Sequence, residues 1–252
     1  MSDIRYRAIV SSDWSECLSP NGPFDPIAFN YPDLREELST IFTLYTGNRM
    51  SLGEATAKIR SLLPDIFRPE QMDAYLDASY QTYPGVPDLI EWCLGRGILF
   101  MINSTGTQGY FQRVLKRKLL PQVPIVAGNP MIRFAEDDPT GRYLEQVLET
   151  DDKPRNTEAV MRRFGLVGTR PVVMGDSGGD GPHFAWAAKN GGFLIGSMAK
   201  ASLRDYCHSR GAEINSFFGP IYPAGAARNV AEEMSVNFMD LADVIAEALE
   251  LD

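Results

Sequence analysis

A short apolar run that ends in two spaced carboxylates constrains this chain more than any other feature. In Pro171-Val172-Val173-Met174-Gly175-Asp176-Ser177-Gly178-Gly179-Asp180, a strand-length stretch leads directly into Asp176 and Asp180. In an open parallel sheet, ligands sit in the crevice beyond the carboxyl ends of the strands, where loop residues reach them without disturbing the core. The pattern therefore predicts an α/β chain with an acidic site at a strand end. Hard oxygen ligands suit Mg2+, which takes one or two carboxylates from a protein and fills its other positions with water and phosphate. Gly178 and Gly179 are expected to let the loop curl tightly. An acidic turn without a metal is the plainer reading, and this fragment alone does not separate the two.

Three further landmarks precede it. Tyr6-Arg7-Ala8-Ile9-Val10 reads as a short buried strand, and Ser11-Ser12-Asp13-Trp14-Ser15-Glu16-Cys17-Leu18 follows, so Asp13 also stands at a strand's carboxyl end. Ile98-Leu99-Phe100-Met101-Ile102 suits a strand covered on both faces and leads into Asn103-Ser104-Thr105-Gly106-Thr107, a polar loop expected to open a helix. Small hydroxyl and amide groups with free backbone N–H there make a phosphate cradle, although the same residues also serve as ordinary helix caps. Lys153 sits just before a helical stretch, with Pro154 suited to its first turn, one helix ahead of the acidic loop. Most lysines are solvated surface charges, so only the order of the landmarks singles this one out.

In that order the chain resembles the haloacid dehalogenase superfamily, whose phosphatases carry Asp-x-Asp after the first strand and Gly-Asp-x-x-x-Asp after a later one. Gly175 to Asp180 match the second motif fully, and Asp13-Trp14-Ser15 matches the first in part. The resemblance covers nearly the whole chain. It implies a Rossmann-like, three-layer α/β core with a parallel sheet and an inserted helical cap, as in the phosphoserine-phosphatase-like branch. It implies Asp13 as the nucleophile, Mg2+ held by the Asp13 carboxylate, the Ser15 carbonyl and Asp176, and Asp180 as a direct or water-mediated ligand. Lys153 and Ser104 would hold the phosphoryl group, with Asn103 and Thr105 as further phosphate-binding candidates.

The departure is Ser15, which stands where the family has the Asp that protonates the leaving group and then activates water. Serine does neither near neutral pH, and the neighbouring Glu16 starts one residue late on the loop. A second register also fits the residues: a strand ending at Val10 would put Ser11 in the nucleophile's place and Asp13 in the acid's. Asp13 as nucleophile is favoured because Leu18 then falls on the family's apolar position.

The organisation follows from the landmarks. Some eighty residues separate Asp13 from the Ile98 strand, too many for one crossover, and Leu34, Leu38, Ile41, Phe42 and Tyr45 recur at helical spacing, as do Ala55, Ile59, Leu62 and Leu63. Residues 20–85 are therefore expected to form the cap, and residues 1–19 and 86–252 the core. Tyr83-Pro84-Gly85-Val86-Pro87 breaks the chain before a helix over 88–94. Val123 to Asn129 predicts another strand, and Met131-Ile132-Arg133-Phe134 with a turn at 137–141 suggests a β-hairpin beside the site. His183 either lines the pocket or packs its own helix.

Composition sets the outer bounds. At 252 residues and 44% hydrophobic, the chain can bury one sizeable α/β core with an insertion. A formal net charge of −9 with no long basic tract argues against nucleic-acid partners, and Lys116-Arg117-Lys118 reads as the decoration of a helix end. No apolar run approaches a membrane span, and no leader is evident. Cys17, Cys93 and Cys207 lack metal-ligand spacing, so a reducing cytoplasm is expected. The expected function is a Mg2+-dependent phosphohydrolase acting on a small phosphorylated metabolite through an aspartyl-phosphate, slowed by Ser15. A catalytically impaired metal- or phosphate-binding or regulatory protein of the same fold is the alternative, and a dehalogenase ranks third.

Overall fold

The computed structural model describes residues 5–138 and 143–251. Among the described residues, seven strands form one sheet, β1 (Ala8–Ser12), β2 (Ile98–Thr107), β3 (Ile125–Asn129), β4 (Tyr143–Gln146), β5 (Pro171–Gly175), β6 (Phe193–Ser197) and β7 (Ser216–Phe218). Their order is β4-β3-β2-β1-β5-β6-β7, and every described pairing is parallel. β1, β2, β3 and β5 are buried along their whole length, as strands covered by helices on both faces must be. This is a Rossmann-like α/β sheet flanked by helices.

The helices are α1 (Asp25–Asn30), α2 (Arg35–Thr46), α3 (Leu52–Leu62), α4 (Pro69–Ser79), α5 (Val86–Gly95), α6 (Gln108–Lys116), α7 (Asp152–Arg163), α8 (Gly181–Lys189), α9 (Ala201–Ser209), α10 (Val230–Glu233) and α11 (Leu241–Ala248). The first four lie between β1 and β2. Ser51 caps α3 through a reciprocal bond with Glu54, and Pro69 opens α4. The two chains entering and leaving this helical segment run side by side: Leu18 O accepts from Tyr83 N at 3.1 Å, Gln81 O from the Ser19 hydroxyl at 2.7 Å, and Ser79 O from the Asn21 amide at 2.6 Å. Gly85, at φ +79°, then starts α5; a Cβ there would lie 2.0 Å from Asn237 Oδ1 and 3.0 Å from Met239 N.

Two expectations are corrected. The segment after β3 makes no hairpin: residues 131–134 carry no strand, and β4 pairs parallel with β3, which a tight turn cannot connect. The apolar alternation there serves burial instead, since Ile132 and Phe134 pack on α6 and Phe134 O accepts from Gln112 Nε2 at 2.7 Å. Residues 139–141 of the expected turn lie outside the described residues. The segment from Asn103 to Thr107 leads straight into a helix as expected, with Thr107 at its N-cap, but it is strand rather than free loop. It is the end of β2, where the register with β3 shifts between Asn103 and Thr107, so Ser104, Thr105 and Gly106 form a bulge and α6 begins only at Gln108.

Candidate active site

Three strand ends converge. β1 ends at Ser12, and the Asp13 N–H donates to Met174 O on β5 at 3.0 Å, which locks Asp13 beside the acidic loop. Ser11 is still inside the strand, and its hydroxyl is 2.9 Å from that of Thr157 on α7, so it does not stand at the strand's end. Asp13, Asp176 and Asp180 are all buried and each offers an oxygen within 4.8 Å of the others.

Lys153 enters this cluster from the first turn of α7 with its side chain only 1% exposed; its Nζ lies 2.6 Å from Asp180 Oδ1 and 3.1 Å from Asp13 Oδ1. Burial alone would push its ammonium down, but the carboxylates of Asp13 and Asp180 hold it above the ordinary lysine range. The other Asp180 oxygen accepts from the backbone N–H of Asp176 at 3.0 Å and of Ser177 at 3.3 Å. Asp180 thus shapes the loop and anchors the lysine with both oxygens engaged. Asp13 Oδ1, by contrast, is buried and accepts no well-aligned hydrogen bond, Lys153 Nζ at 3.1 Å being its close polar neighbour. Burial raises the Asp13 carboxyl, against the pull of Lys153. Three buried carboxylates with oxygens within 4.8 Å of one another offer the hard oxygen ligands a divalent cation takes, so the donor set fits Mg2+.

The phosphate candidates divide. Ser104 is buried on the bulge, accepts from Gly106 N at 3.2 Å, and its hydroxyl acts on the Asp13 carboxyl. Thr105 lines the cleft above Asp13 together with Lys153. The Asn103 amide is occupied elsewhere, donating to Lys153 O at 2.8 Å, Thr157 Oγ1 at 3.1 Å and Ser11 Oγ at 3.3 Å; it holds the start of α7 in place. His183 completes that buried group through a 2.9 Å bond to Thr157. Burial lowers its imidazole to about 3, so it is neutral and packs rather than titrates.

Sequence reasoning missed Lys200 and Arg228. Lys200 follows β6, and its Nζ reaches Asp176 Oδ2 at 2.6 Å and the Glu16 carboxylate. Glu16 sits at φ +59° in the tight turn after Asp13 and also binds Arg228 Nη1 at 2.7 Å. Arg228 in turn pairs with the buried Glu233. Burial raises the Asp176 carboxyl to about 8, with Lys200 opposing the shift. Neither cation carries a motif: one follows β6, the strand beside β5, and the other lies in an irregular segment after β7.

The helices between β1 and β2 close the cleft. Phe42, Tyr45 and Thr46 of α2 line it with Asp13 and Lys153, leaving about 10 Å3, room for about one water. Gly178 and Gly179 permit this approach. They are not at positive φ; a Cβ would lie 2.5 Å from Asn48 Nδ2 at Gly178 and 2.7 Å from Tyr45 Oη at Gly179. They lie in the tight turn Gly178–Asp180, so the loop curls as expected, and their missing side chains also let the α2 segment pack closely on it.

No family model matches the chain, and no curated protein matches it. Solved structures do. A phospho-aspartyl intermediate analogue of phosphoserine phosphatase shares 17% identity and superposes with a TM-score of 0.68, over 95% of this chain and 99% of the other. A substrate-bound phosphoserine phosphatase gives 18% and 0.68 over 94% and 98%. A HAD family hydrolase from Salmonella enterica subsp. enterica serovar Typhi gives 15% and 0.64 over 84% and 68%. These likenesses, over nearly the whole chain, show that it has the haloacid-dehalogenase fold in its phosphoserine-phosphatase-like form.

Proposed function

We propose that the protein is a Mg2+-dependent phosphohydrolase of small phosphorylated metabolites, working through an aspartyl-phosphate. The observation that carries this reading is the convergence of Asp13, Asp176 and Asp180 on the buried Lys153 at the carboxyl ends of β1 and β5. Asp13, Asp176 and the Ser15 main chain would hold Mg2+, with Asp180 in support, and the ion would neutralise charge on the phosphoryl oxygens. A carboxylate oxygen of Asp13 attacks phosphorus, and its new P–O bond forms as the bond to the leaving alcohol breaks. Lys153, Ser104 and Thr105 bind the equatorial oxygens, since positioning and charge compensation do most of the work in phosphoryl transfer. The leaving oxygen takes its proton from water. A second water then attacks the aspartyl-phosphate, releasing phosphate and restoring Asp13.

Ser15 supplies no acid or base, and Glu16 is committed to Lys200 and Arg228, so turnover is slow. The same observation favours the second reading, a binding or regulatory protein with an inherited site. We read residues 20–85 as a cap that lifts to admit substrate, because the closed cleft holds no metabolite; lids over active sites commonly move this way. Phosphate release from p-nitrophenyl phosphate with Mg2+ and with EDTA, beside an Asp13→Asn control, tests the reading. Mg2+-dependent release lost in the control supports it, and release equal in both proteins defeats it.

A further inference from the structure

One side chain, Arg228, is bonded both to the hinge of the helical segment and to the loop that carries Asp13. Its Nη1 donates to Pro20 O at 3.0 Å, on the chain leaving for α1, and its Nη2 to the Tyr83 hydroxyl at 3.0 Å, on the chain returning to α5. The same guanidinium grips Glu16 Oε1 at 2.7 Å and the fully buried Glu233. Glu233 also accepts from the hydroxyls of Tyr83 at 2.6 Å and Tyr222 at 2.8 Å. Glu16 gives its other oxygen to Lys200, whose Nζ reaches Asp176 Oδ2 at 2.6 Å and lies 5.7 Å from the centre of the Phe42 ring on α2. Five charges of alternating sign, Glu233, Arg228, Glu16, Lys200 and Asp176, therefore run from the hinge to the acidic cluster. Glu16 holds its place in that row at φ +59°, a conformation that a residue with a Cβ keeps only where its surroundings over-determine it.

Resting on the metal site and the moving cap of the phosphohydrolase reading, we propose that Arg228 and Lys200 are positioning residues that couple a divalent cation at Asp176 to loosening of the cap's hinge. Lys200 and the cation compete for one carboxylate, and like charges a few ångströms apart in a buried site repel strongly. When the cation takes Asp176, Lys200 gives up that carboxylate and keeps Glu16. Glu16, drawn more fully to Lys200, then holds Arg228 less tightly, and with Arg228 go its bonds to Pro20 O and Tyr83. Moving Lys200 also weakens its contact with the Phe42 ring, so α2 loses a hold on the core at the same step. The cation thus binds first and readies the cap for the phosphorylated substrate. Such coupling is reciprocal: a change that frees Arg228 from Glu16 must tighten cation binding by the same factor.

The test follows hydrogen exchange of the Tyr83 amide, which donates to Leu18 O across the hinge, in EDTA and in saturating Mg2+, beside Mg2+ affinity by calorimetry. In the wild type Mg2+ should speed that exchange about fivefold or more, the lower end of coupling between sites. Arg228→Met should exchange fast in both conditions and, with Lys200 drawn to the unpaired Glu16, bind Mg2+ about fivefold more tightly. An arginine with a merely structural role would loosen the hinge when lost and leave the affinity unchanged or lower. Arg228→Met combined with Glu233→Gln, which strands no buried charge, carries the same expectation if the single variant does not fold. Arg228→Lys, a point charge without the guanidinium's fork, should fall between wild type and Met. Exchange at Tyr83 that Mg2+ leaves unchanged or slows, or a Mg2+ affinity that does not rise on losing Arg228, overturns the proposal. Failure of the phosphohydrolase reading shows separately, as no Mg2+-dependent turnover of p-nitrophenyl phosphate by a wild type that binds Mg2+ and shows the coupling.

Discussion

Replacing Lys200 with Met would test how the acidic cluster tolerates its own charge. Asp176, 2% exposed at the side chain, loses a 2.6 Å partner, and Glu16 loses one of two. Breaking a fully buried pair costs about 3–5 kcal/mol because the remaining charge has no compensation. Lys200 is itself 20% exposed and Glu16 keeps Arg228, so the cost falls just below that range, at about 2–3 kcal/mol. For a chain of this size each kcal/mol shifts the midpoint by about 2–4 °C, giving a fall of about 4–12 °C in EDTA by calorimetry. A divalent cation at about a hundred times its Kd stabilises by about 2.7 kcal/mol. Mg2+ should rescue the variant more than it stabilises the wild type, because Lys200 no longer repels the ion beside Asp176. A double-mutant cycle with Asp176→Asn should show a coupling above about 1 kcal/mol. A loss under about 1 kcal/mol, or equal Mg2+ stabilisation of both proteins, would refute this account of the charge balance.

Asp176→Asn should weaken Mg2+ binding and phosphate release together while the protein still folds, as read by titration calorimetry and circular dichroism. pH should act through the same residue. The Asp176 carboxyl is held near 8 in the fold against about 3.9 unfolded, so its contribution to stability is complete below about pH 4 and is lost as pH rises through 8. Melting in EDTA should therefore decline from pH 5 to 8, with a shallower slope in Asp176→Asn, whereas Mg2+ affinity should climb over that interval and level off above about 8. Ser15→Asp should raise turnover of an alkyl phosphate by about a hundredfold or more, the usual contribution of a general acid–base group; no gain, or a gain that survives Asp13→Asn, would place the missing chemistry elsewhere.

The fold was legible because its signals are local. Short continuous apolar runs at Ile98 and Val172, of strand length and ending in polar loops, suit strands buried on both faces, and the helical spacing of Leu38, Ile41 and Tyr45 survives intact as one buried face of α2. The wrong hairpin shows the limit of that logic. Ile132 and Phe134 alternate like strand residues, yet what they bury against is α6, and no periodicity names the partner. Asn103 and Gly179 show the same limit: the residue types suit a polar strand end and a tight turn, but the neighbours they meet, Lys153 O and Tyr45 Oη, are distant in sequence.

By itself the sequence determined a parallel α/β sheet with a helical insertion after its first strand, and chemically suited residues at strand ends, Asp13, Ser104, Asp176 and Asp180, with Lys153 at a helix start. Period, strand length and loop composition act over a few residues, so they can be read along one dimension. Tertiary structure decided what surrounds those residues. It brought Lys200 and Arg228 onto Asp176 and Glu16 and closed α2 over the glycines. Charge balance, desolvation and cavity shape depend on every group within a few ångströms, and those groups come from segments that only folding makes neighbours.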